Sequence, residues 1–182
     1  MIFKIKWLIS TFIIYFFLKK LVMPSYISFP VFFKGLNRVT IGKKVRIFPG
    51  ARIEVHGDGE ILIGDNVGIG QNFHITSAGK LSIGSGTVIT ANVCITNIHH
   101  SYQSLDLPVL SQDIVSKPTS IGDNCFIGFG SVILPGSSLG DNCIVGANSV
   151  VNGSFPSGSV IAGNPARIIK LYNFNTGVWE RV

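Results

Sequence analysis

The chain has 182 residues, of which 46% are apolar and only 13% are charged. This length suits one well-filled core and is too short for two ordinary domains, so we expect one domain with appendages. The 21 glycines do not follow the G-X-Y period of collagen, which excludes a fibrous chain and indicates repeated turns. The net charge of +6 comes from one end, because ten Lys or Arg residues precede the first acid, Glu54.

The first element in chain order is a hydrophobic and basic segment, residues 1–30, for which we predict a hydrophobic helix. Its apolar stretch, Trp7 to Leu18, is shorter than the roughly 20 residues that a membrane span needs. No small-x-small cleavage site follows, which argues against a signal peptide. Aromatic residues among lysines favour a helix that lies on an anionic membrane surface, so we expect a cytoplasmic protein peripheral to the inner membrane. A membrane span and packing against another subunit stay open as alternatives.

An apolar residue recurs every six positions through residues 31–170 and predicts a parallel β-helix. A strand and a tight turn fill six residues, and three such units close a triangular coil of eighteen residues, stacked about 4.8 Å from the next coil. A glycine follows the first apolar residue of each coil. The pattern gives about five coils, with the apolar triplets Ile41, Ile47, Ile53; Ile63, Ile69, Ile75; Ile83, Ile89, Ile95; Ile121, Ile127, Ile133; and Leu139, Val145, Val151.

Three interruptions of the repeat all fall after the third strand of a coil, so they emerge along one edge of the prism. The largest is a protruding loop, residues 98–120, where 26 residues separate Ile95 from Ile121 instead of six. Insertions in solenoids often gather on the binding face. His99 and His100 stand at the start of this loop, where a rigid wall can position chemistry, and are therefore candidate catalytic residues.

The six-residue repeat, the loop that begins ITNIHHSY and the closing run IVGANSVVNGSFPSGSVIAGNPARIIK resemble the left-handed β-helix acyltransferases over about residues 38–182. The loop and the C-terminal tail, residues 171–182, are most similar to bacterial O-acetyltransferases of O-antigen and capsule sugars. The resemblance implies an all-β, left-handed parallel β-helix and a homotrimer with active sites between neighbouring prisms. It also implies acetyl transfer from acetyl-CoA to a sugar hydroxyl of a polysaccharide or its lipid-linked precursor.

The catalytic pattern of this family, Asp-His-x-His followed by a small residue and an aromatic, falls on residues 97–102. It assigns the general base to His100, and a base of this kind removes the proton of the attacking hydroxyl. Asn97 takes the place of the acid, so another acceptor, such as a backbone carbonyl, must set the tautomer of the imidazole. His99 could share the catalytic role. The resemblance further implies acceptor-binding roles for Asn72, His74, His99 and Tyr102.

The acyl donor is expected to lie along small residues of the last coils, in a groove between two subunits, with its phosphates against basic residues near the C-terminus. Phe129 departs from the small residue that relatives often have in this region. The matching positions for the donor are Gly128, Gly130, Ser131, Ala147, Ser149, Arg167 and Lys170.

The main alternative is an N-acyltransferase of the same fold that modifies an amino sugar. A γ-type carbonic anhydrase needs three zinc-binding histidines, two of them five residues apart, and the four histidines lack this spacing, so no metal site is predicted. A structural β-helix would show regular outward Thr rows and no large loop. Nucleic acid is not expected as a partner, because the basic residues flank hydrophobic ones without a recognition module. The three cysteines lack CxxC spacing and fit reduced thiols.

Overall fold

The N-terminal segment forms the helix that the sequence predicts. The computed structural model describes residues 2–182, so Met1 of this segment lies outside the described residues. Helix α1 (Ile2–Tyr15) covers one open end of the core, because Ile14 is buried in the main hydrophobic cluster. The Thr11 hydroxyl accepts a hydrogen bond from the backbone N–H of Ile27 at 2.7 Å. Among residues 2–182, no helix is both long enough and apolar enough to cross a bilayer.

Short strands then wind into coils of three. The first coil consists of β1 (Lys20–Leu21), β2 (Tyr26–Ile27) and β3 (Phe32–Lys34). After a short 3-10 helix (Leu36–Arg38), the next three coils consist of β4 (Val39–Ile41), β5 (Arg46–Ile47) and β6 (Arg52–Val55); β7 (Glu60–Ile63), β8 (Gly68–Ile69) and β9 (His74–Ser77); and β10 (Lys80–Ile83), β11 (Val88–Ile89) and β12 (Cys94–Thr96).

An antiparallel ribbon interrupts the coils at this point. It is built from β13 (Ile98–His100) and β14 (Ile114–Ser116), with a second 3-10 helix (Val109–Ser111) between them. The remaining strands are β15 (Thr119–Ile121), β16 (Phe126–Ile127), β17 (Val132–Ile133), β18 (Ser138–Leu139), β19 (Ile144–Val145), β20 (Val150–Val151), β21 (Ser154–Phe155), β22 (Ser159–Gly163), β23 (Ala166–Asn173) and β24 (Val178–Arg181).

Strands of successive coils pair in parallel and form the three walls of a prism. Sheet A contains β1, β4, β7, β10, β15, β18 and β21, and sheet C contains β3, β6, β9, β12, β17 and β20. Sheet B contains β2, β5, β8, β11, β16, β19 and β22, and is extended by the antiparallel strands β23 and β24. We call the edge between sheets B and C the B–C edge, and the edge where the chain returns from sheet C to sheet A the C–A edge.

The predicted apolar residues line the inside of this prism. Ile47, Ile69 and Ile89 stack in register in sheet B and are each at most 1% exposed. Asparagines supply left-handed turn residues between the walls; Asn124 and Asn142, for example, have φ angles of 54° and 59°. The parallel β-helix predicted by the six-residue repeat is therefore confirmed.

The prism is longer than the sequence repeat indicates. The five predicted triplets form coils two to six, and a further coil lies before them with a partial coil after them, which gives almost seven coils in the described residues. The β-helix begins at Lys20, inside the segment assigned to residues 1–30, since Leu21 and Ile27 are buried core residues. The tail, residues 171–182, is part of an antiparallel hairpin rather than a separate appendage.

All three insertions leave the prism at the C–A edge, as predicted. They lie between β6 and β7, between β9 and β10, and between β12 and β15. The base of the largest insertion is the β13–β14 ribbon, so the two adjacent histidines are on a strand and not in an irregular loop.

Candidate active site

The histidine ribbon is fastened to the prism by Asn97, which is fully buried. Its side-chain oxygen accepts a hydrogen bond from the Ala78 N–H at 2.9 Å, and its amide donates to the Ser77 hydroxyl at 2.9 Å. Its backbone carbonyl accepts from the Lys117 N–H at 2.8 Å and so joins the two ends of the insertion. Both the oxygen and the nitrogen of the side-chain amide thus form hydrogen bonds with residues at the end of the preceding coil. Asn97 is a candidate catalytic residue by its place in the family pattern, and in the structure its side chain holds the ribbon to the prism.

The two adjacent histidines point to opposite faces of the ribbon. His99 lies opposite Val115 and His100 lies opposite Ile114, and side chains alternate along a strand. The two rings therefore lie on opposite sides of the ribbon. Tyr102, two residues beyond His100, is 66% exposed.

The imidazole of His100 is half-buried, and the burial falls on Nδ1. Among the side chains that the structure describes, His100 Nδ1 is one of two buried polar atoms without a hydrogen-bond partner. This leaves Nε2 as the nitrogen that can reach a substrate. The acceptor that would set the tautomer is not found among residues 2–182, since none of their groups bonds Nδ1.

Asn72 is not near the histidine ribbon. It is a left-handed turn residue (φ 55°) at the B–C edge, and its amide donates to the side-chain oxygen of Asn92 at 3.0 Å. The stacked asparagines stabilise the turn between coils. The acceptor-binding role of Asn72 stays a prediction; within a single prism, sheet C lies between Asn72 and His100.

His74 lies on the outer surface of sheet C, between the two edges, beside a buried acid that sequence reasoning missed. The Glu54 side chain is only 10% exposed and is paired with Arg52, with His56 (3.4 Å) and with His74 (3.7 Å). His74 Nε2 also bonds the Thr76 hydroxyl at 2.8 Å. The residues share one wall because β6 and β9 pair in register. The available signal was the position of Glu54 in the run RIEV, where it alternates with the inward-facing Ile53.

These contacts shift the pKa values of Glu54 and His74 on sheet C. Burial alone would raise the pKa of the Glu54 carboxyl, but the hydrogen bond and charge of Arg52, together with those of His56, outweigh it and lower the pKa. Burial lowers the pKa of His74 against the opposing effect of Glu54. The lowered pKa favours the neutral form of the His74 imidazole at pH 7.

The small residues predicted for donor binding lie at the B–C edge, but two of them face inward. Ser131 and Ser149 are fully buried, and both hydroxyls donate to the Gly146 carbonyl, at 2.9 and 2.7 Å. Their side chains close turns, so donor contact at these two positions stays a prediction and would have to use the backbone. A Cβ on Gly128 would lie 2.6 Å from the backbone nitrogen of Ala147, which shows that coil stacking already requires glycine there.

Gly130 is also constrained by the turn. Its φ is +69°, and an added Cβ would collide with the side-chain oxygen of Asn148 in the next coil. Ala147, by contrast, is exposed and leaves the surface of the B–C edge open.

The basic residues near the C-terminus face the outside of sheet B. Ile161 is fully buried, so its neighbours Val160 and Ala162 face outward. Their cross-strand partners, Lys170 and Arg167, share that outward face. Arg167 and Lys170 are three residues apart, and regular alternation would place them on opposite faces. They share one face because the pairing of β22 with β23 shifts between Val160 and Ile161.

The β23–β24 hairpin adds further residues to this face. Arg181 lies directly opposite Lys170, and Trp179 lies directly opposite Tyr172, with ring centroids 5.2 Å apart. Two cations placed opposite each other repel, which favours an anion between them. The aromatic residues border a cleft of about 310 Å³ lined by Asn142, Gly158, Tyr172, Phe174 and Trp179. Alternation in the tail LYNFNTGVWE was the sequence signal for this hairpin.

Comparison with known proteins decides the family. The description "bacterial transferase hexapeptide (six repeats)" fits residues 118–153. A protein of Escherichia coli K12 named as a lipopolysaccharide biosynthesis O-acetyl transferase, WbbJ, is 35% identical over 162 residues, which cover 85% of this chain and 83% of that protein. The chain belongs to the hexapeptide-repeat transferase family.

Other hexapeptide-repeat transferases agree with this assignment. A second Escherichia coli K12 protein, named as a colanic acid biosynthesis acetyltransferase, WcaF, is 30% identical and the match covers 71% of this chain and 68% of that protein. The structure of AntD, an N-acyltransferase from Bacillus cereus in complex with dTDP and 3-hydroxybutyryl-CoA, has a TM-score of 0.71 at 19% identity, over 88% of this chain and 87% of AntD. This likeness confirms the left-handed β-helix fold.

The structure also bears on metals and thiols. Within residues 2–182, no group of three or more His, Cys, Asp or Glu side chains is arranged to hold a metal ion. Cys94, Cys125 and Cys143 are free thiols.

Proposed function

We propose that this hexapeptide-repeat transferase is an acetyl-CoA-dependent O-acetyltransferase. The acceptor is a sugar hydroxyl of a cell-surface polysaccharide, such as an O-antigen or capsule, or of its lipid-linked precursor at the cytoplasmic side of the inner membrane. The observation that carries the proposal is the position of His100: a half-buried imidazole on a β-ribbon that Asn97 fastens to the rigid C–A edge. The name of the relative WbbJ supports transfer to oxygen.

The proposed reaction requires one general base. Acetyl-CoA supplies an acyl group activated as a thioester. His100 Nε2 takes the proton of the sugar hydroxyl while the oxygen forms a bond to the carbonyl carbon, and the imidazolium then gives this proton to the sulfur as the C–S bond breaks. A positioned base contributes about 10²–10⁴-fold to such a rate. His74, neutral and held by Thr76, is suited to orient the sugar on the wall of sheet C.

The donor fits the B–C edge and the C-terminal hairpin. Ala147 is exposed and small, and so leaves the backbone of this edge accessible to an extended pantetheine arm. The outward cations of the hairpin, Arg167, Lys170 and Arg181, match the phosphates of the nucleotide end, and the aromatic cleft beside them suits a planar base.

A homotrimer would bring these parts together. In one prism, His100 is at the C–A edge and the donor residues are at the B–C edge, with sheet C between them. Packing prisms side by side sets the C–A edge of one copy against the B–C edge of the next. A neighbouring chain could also supply the acceptor that His100 Nδ1 does not find within its own chain.

The experiment compares surface polysaccharide from cells that carry the wild-type protein, His100→Ala or no copy of the gene. Mass spectrometry should find an added acetyl group with the wild-type protein only, and mild alkali should remove it, since esters hydrolyse and amides do not. The exposed loop variant Gln103→Ala serves as the control for correct folding of the loop. An acetyl group that survives alkali would instead support the alternative, N-acyl transfer to an amino sugar, and full acetylation with His100→Ala would refute the assigned base.

A further inference from the structure

Helix α1 and the turn after it present their apolar side to the outside. Ser10 and Thr11 face the protein and are 8% and 1% exposed, whereas Phe12 and Phe16 are 67% and 69% exposed. A helix on a surface that faces only water hides its apolar side and shows its polar one. In α1 the polar side faces the protein and the apolar side faces outward. The buried Ser10 hydroxyl has no hydrogen-bond partner among the described residues. The outer side carries Ile5, Leu8, Ile9, Phe12, Ile13 and Phe16, each at least 43% exposed.

The apolar surface continues from the helix onto the first coil. Leu8, Phe12, Tyr15 and Met23 line one cleft of about 410 Å³. Further exposed side chains of the first coil are Phe29 (49%) and Val31 (72%). Single exposed apolar residues are common on proteins, but a continuous apolar patch of this extent indicates a binding surface. We call the helix face and these first-coil residues the apolar end.

The charge around the apolar end selects an anionic occupant. Lys6 is exposed on α1, Lys19 and Lys20 lie beside Tyr15 and Phe16, and only Lys19 of these three lysines pairs with an acid among the described residues, Glu60 at 3.9 Å. A second copy docked by the same face would set these lysines against each other. Lipid with anionic headgroups meets both the apolar side chains and the lysines.

We infer that the apolar end docks onto an anionic lipid bilayer, with α1 lying in the headgroup region and the prism standing upright above it. A helix of 14 residues is about 21 Å long, too short for a hydrocarbon core of about 30 Å, so it lies along the surface. The upright orientation follows because α1 covers the end of the core at the first coil.

The orientation fixes the height of the histidine ribbon. The ribbon leaves the prism after the fourth coil, three coil spacings of about 4.8 Å, or roughly 14 Å, above the first coil. Only this last step rests on the proposed function: the hydroxyl that His100 activates would belong to a glycan that extends away from its lipid anchor, outside the headgroup layer.

Vesicle binding tests the docking surface without reference to catalysis. Full-length protein should co-sediment with vesicles that contain phosphatidylglycerol, and binding to pure phosphatidylcholine should be much weaker. The double variant Phe12→Glu/Phe16→Glu should bind at least tenfold more weakly, and Lys6→Gln/Lys20→Gln about tenfold more weakly. Val88→Glu, an exposed apolar position on sheet B, and Lys80→Gln are the matched controls. Equal vesicle binding by all variants would overturn the inference. It would also be overturned if Phe12→Glu/Phe16→Glu kept its vesicle binding but no longer formed an oligomer.

The two tryptophans report the orientation. Trp7 lies in α1 and packs on Phe48 with ring centroids 4.9 Å apart, and Trp179 is in the last strand at the other end of the prism. Anionic vesicles with brominated acyl chains should quench the fluorescence of Trp7, measured in Trp179→Phe. They should leave Trp179 unquenched, measured in Trp7→Phe. Quenching of Trp179 would overturn the upright orientation. A protein that binds and is quenched as expected but transfers no acetyl group would refute the proposed function alone.

Discussion

At the scale of single residues, the wall of sheet C depends on how Glu54 is kept ionised. Its carboxylate lies under Arg52, His56 and His74, and these partners compensate for a burial that would otherwise neutralise it. A buried carboxylate with three partners restricts the rotamers of all of them. We therefore regard Glu54 as a positioning residue for His74, and its removal should affect both stability and acceptor binding.

Glu54→Gln should reduce the free energy of unfolding at pH 7 by about 1–3 kcal/mol, because Arg52 and His56 lose a charged acceptor. The pKa of the Glu54 carboxyl is lowered in the folded state from its ordinary value of 4.5, so its stabilisation is complete above that value and is lost as the pH falls through the lowered folded pKa. Wild type and Glu54→Gln should thus converge in acid. Chemical denaturation at several pH values measures this.

Asp58→Asn is the control for this substitution. Asp58 pairs with Arg38 at 3.2 Å, but its side chain is 100% exposed, so the variant should unfold like the wild type. Two results would show that the charge network does not stabilise the fold. One is a Glu54→Gln protein with the wild-type free energy of unfolding at pH 7, and the other is a difference in this free energy that stays the same in acid. The KM for the acceptor should rise in Glu54→Gln more than kcat falls, which a purely structural role would not produce.

At the scale of elements, the six-residue period predicted the coils well wherever isoleucine marks it. It also runs through the first coil, where Leu21, Ile27 and Phe33 follow the same spacing, and through Phe155 and Ile161 in the last one. These coils were missed because Phe33 and Phe155 replace an aliphatic residue and because no glycine follows Leu21 or Phe155, unlike the first apolar residue of each predicted coil. A period in apolar residues identifies strands, but the coil ends are closed by irregular partners such as α1.

The site was predictable in part for the same reason. His100 stands at a break in the period, which located it at an edge. Ser131 and Ser149 are turn residues, and whether a turn side chain faces inward depends on the turn geometry and not on the period. The direction in which Lys170 points depends on an irregular pairing of β22 with β23, which no sequence pattern predicts.

Gly128→Ala should destabilise the coil stack by about 1–3 kcal/mol, because the new Cβ would lie 2.6 Å from the Ala147 nitrogen and force the coils apart. Gly68→Ala is the matched control, since nothing lies within 4 Å of a Cβ there. Thermal unfolding compares the two. A Gly128→Ala protein with unchanged stability and only a raised KM for acetyl-CoA would show that this glycine serves the donor alone.

Lys170→Gln/Arg181→Gln should raise the KM for acetyl-CoA about tenfold, with little change in kcat, because the nucleotide phosphates lose charged partners. Acetyl-pantetheine, which lacks those phosphates, should be used equally well by this variant and the wild type. Steady-state assays of thiol release with both donors separate the effects. A similar loss with the truncated donor would move the role of these residues away from the nucleotide.

At the scale of the whole molecule, the residues proposed for the two parts of the site lie on different edges of one prism. The proposed base is at the C–A edge, the proposed donor residues are at the B–C edge and on the C-terminal hairpin, and sheet C with His74 lies between them. A rigid prism cannot bend to join its own edges, since its walls are continuous parallel sheets. The proposed function therefore calls for a neighbouring copy, in an arrangement that repeats around a closed ring.

Mixing two defective variants tests this arrangement directly. His100→Ala retains a sound donor edge, and Lys170→Gln/Arg181→Gln retains a sound base. Trimers that contain both chains have some interfaces in which a wild-type base meets a wild-type donor edge, and random assembly at equal amounts gives roughly a quarter of all interfaces this form. Co-expressed proteins assayed at low acetyl-CoA should therefore recover about a quarter of wild-type activity, whereas separately purified proteins mixed without subunit exchange should not. If the co-expressed chains were no more active than the better parent, both parts of the site would have to come from one chain, and the proposed placement of the donor at the B–C edge would be wrong.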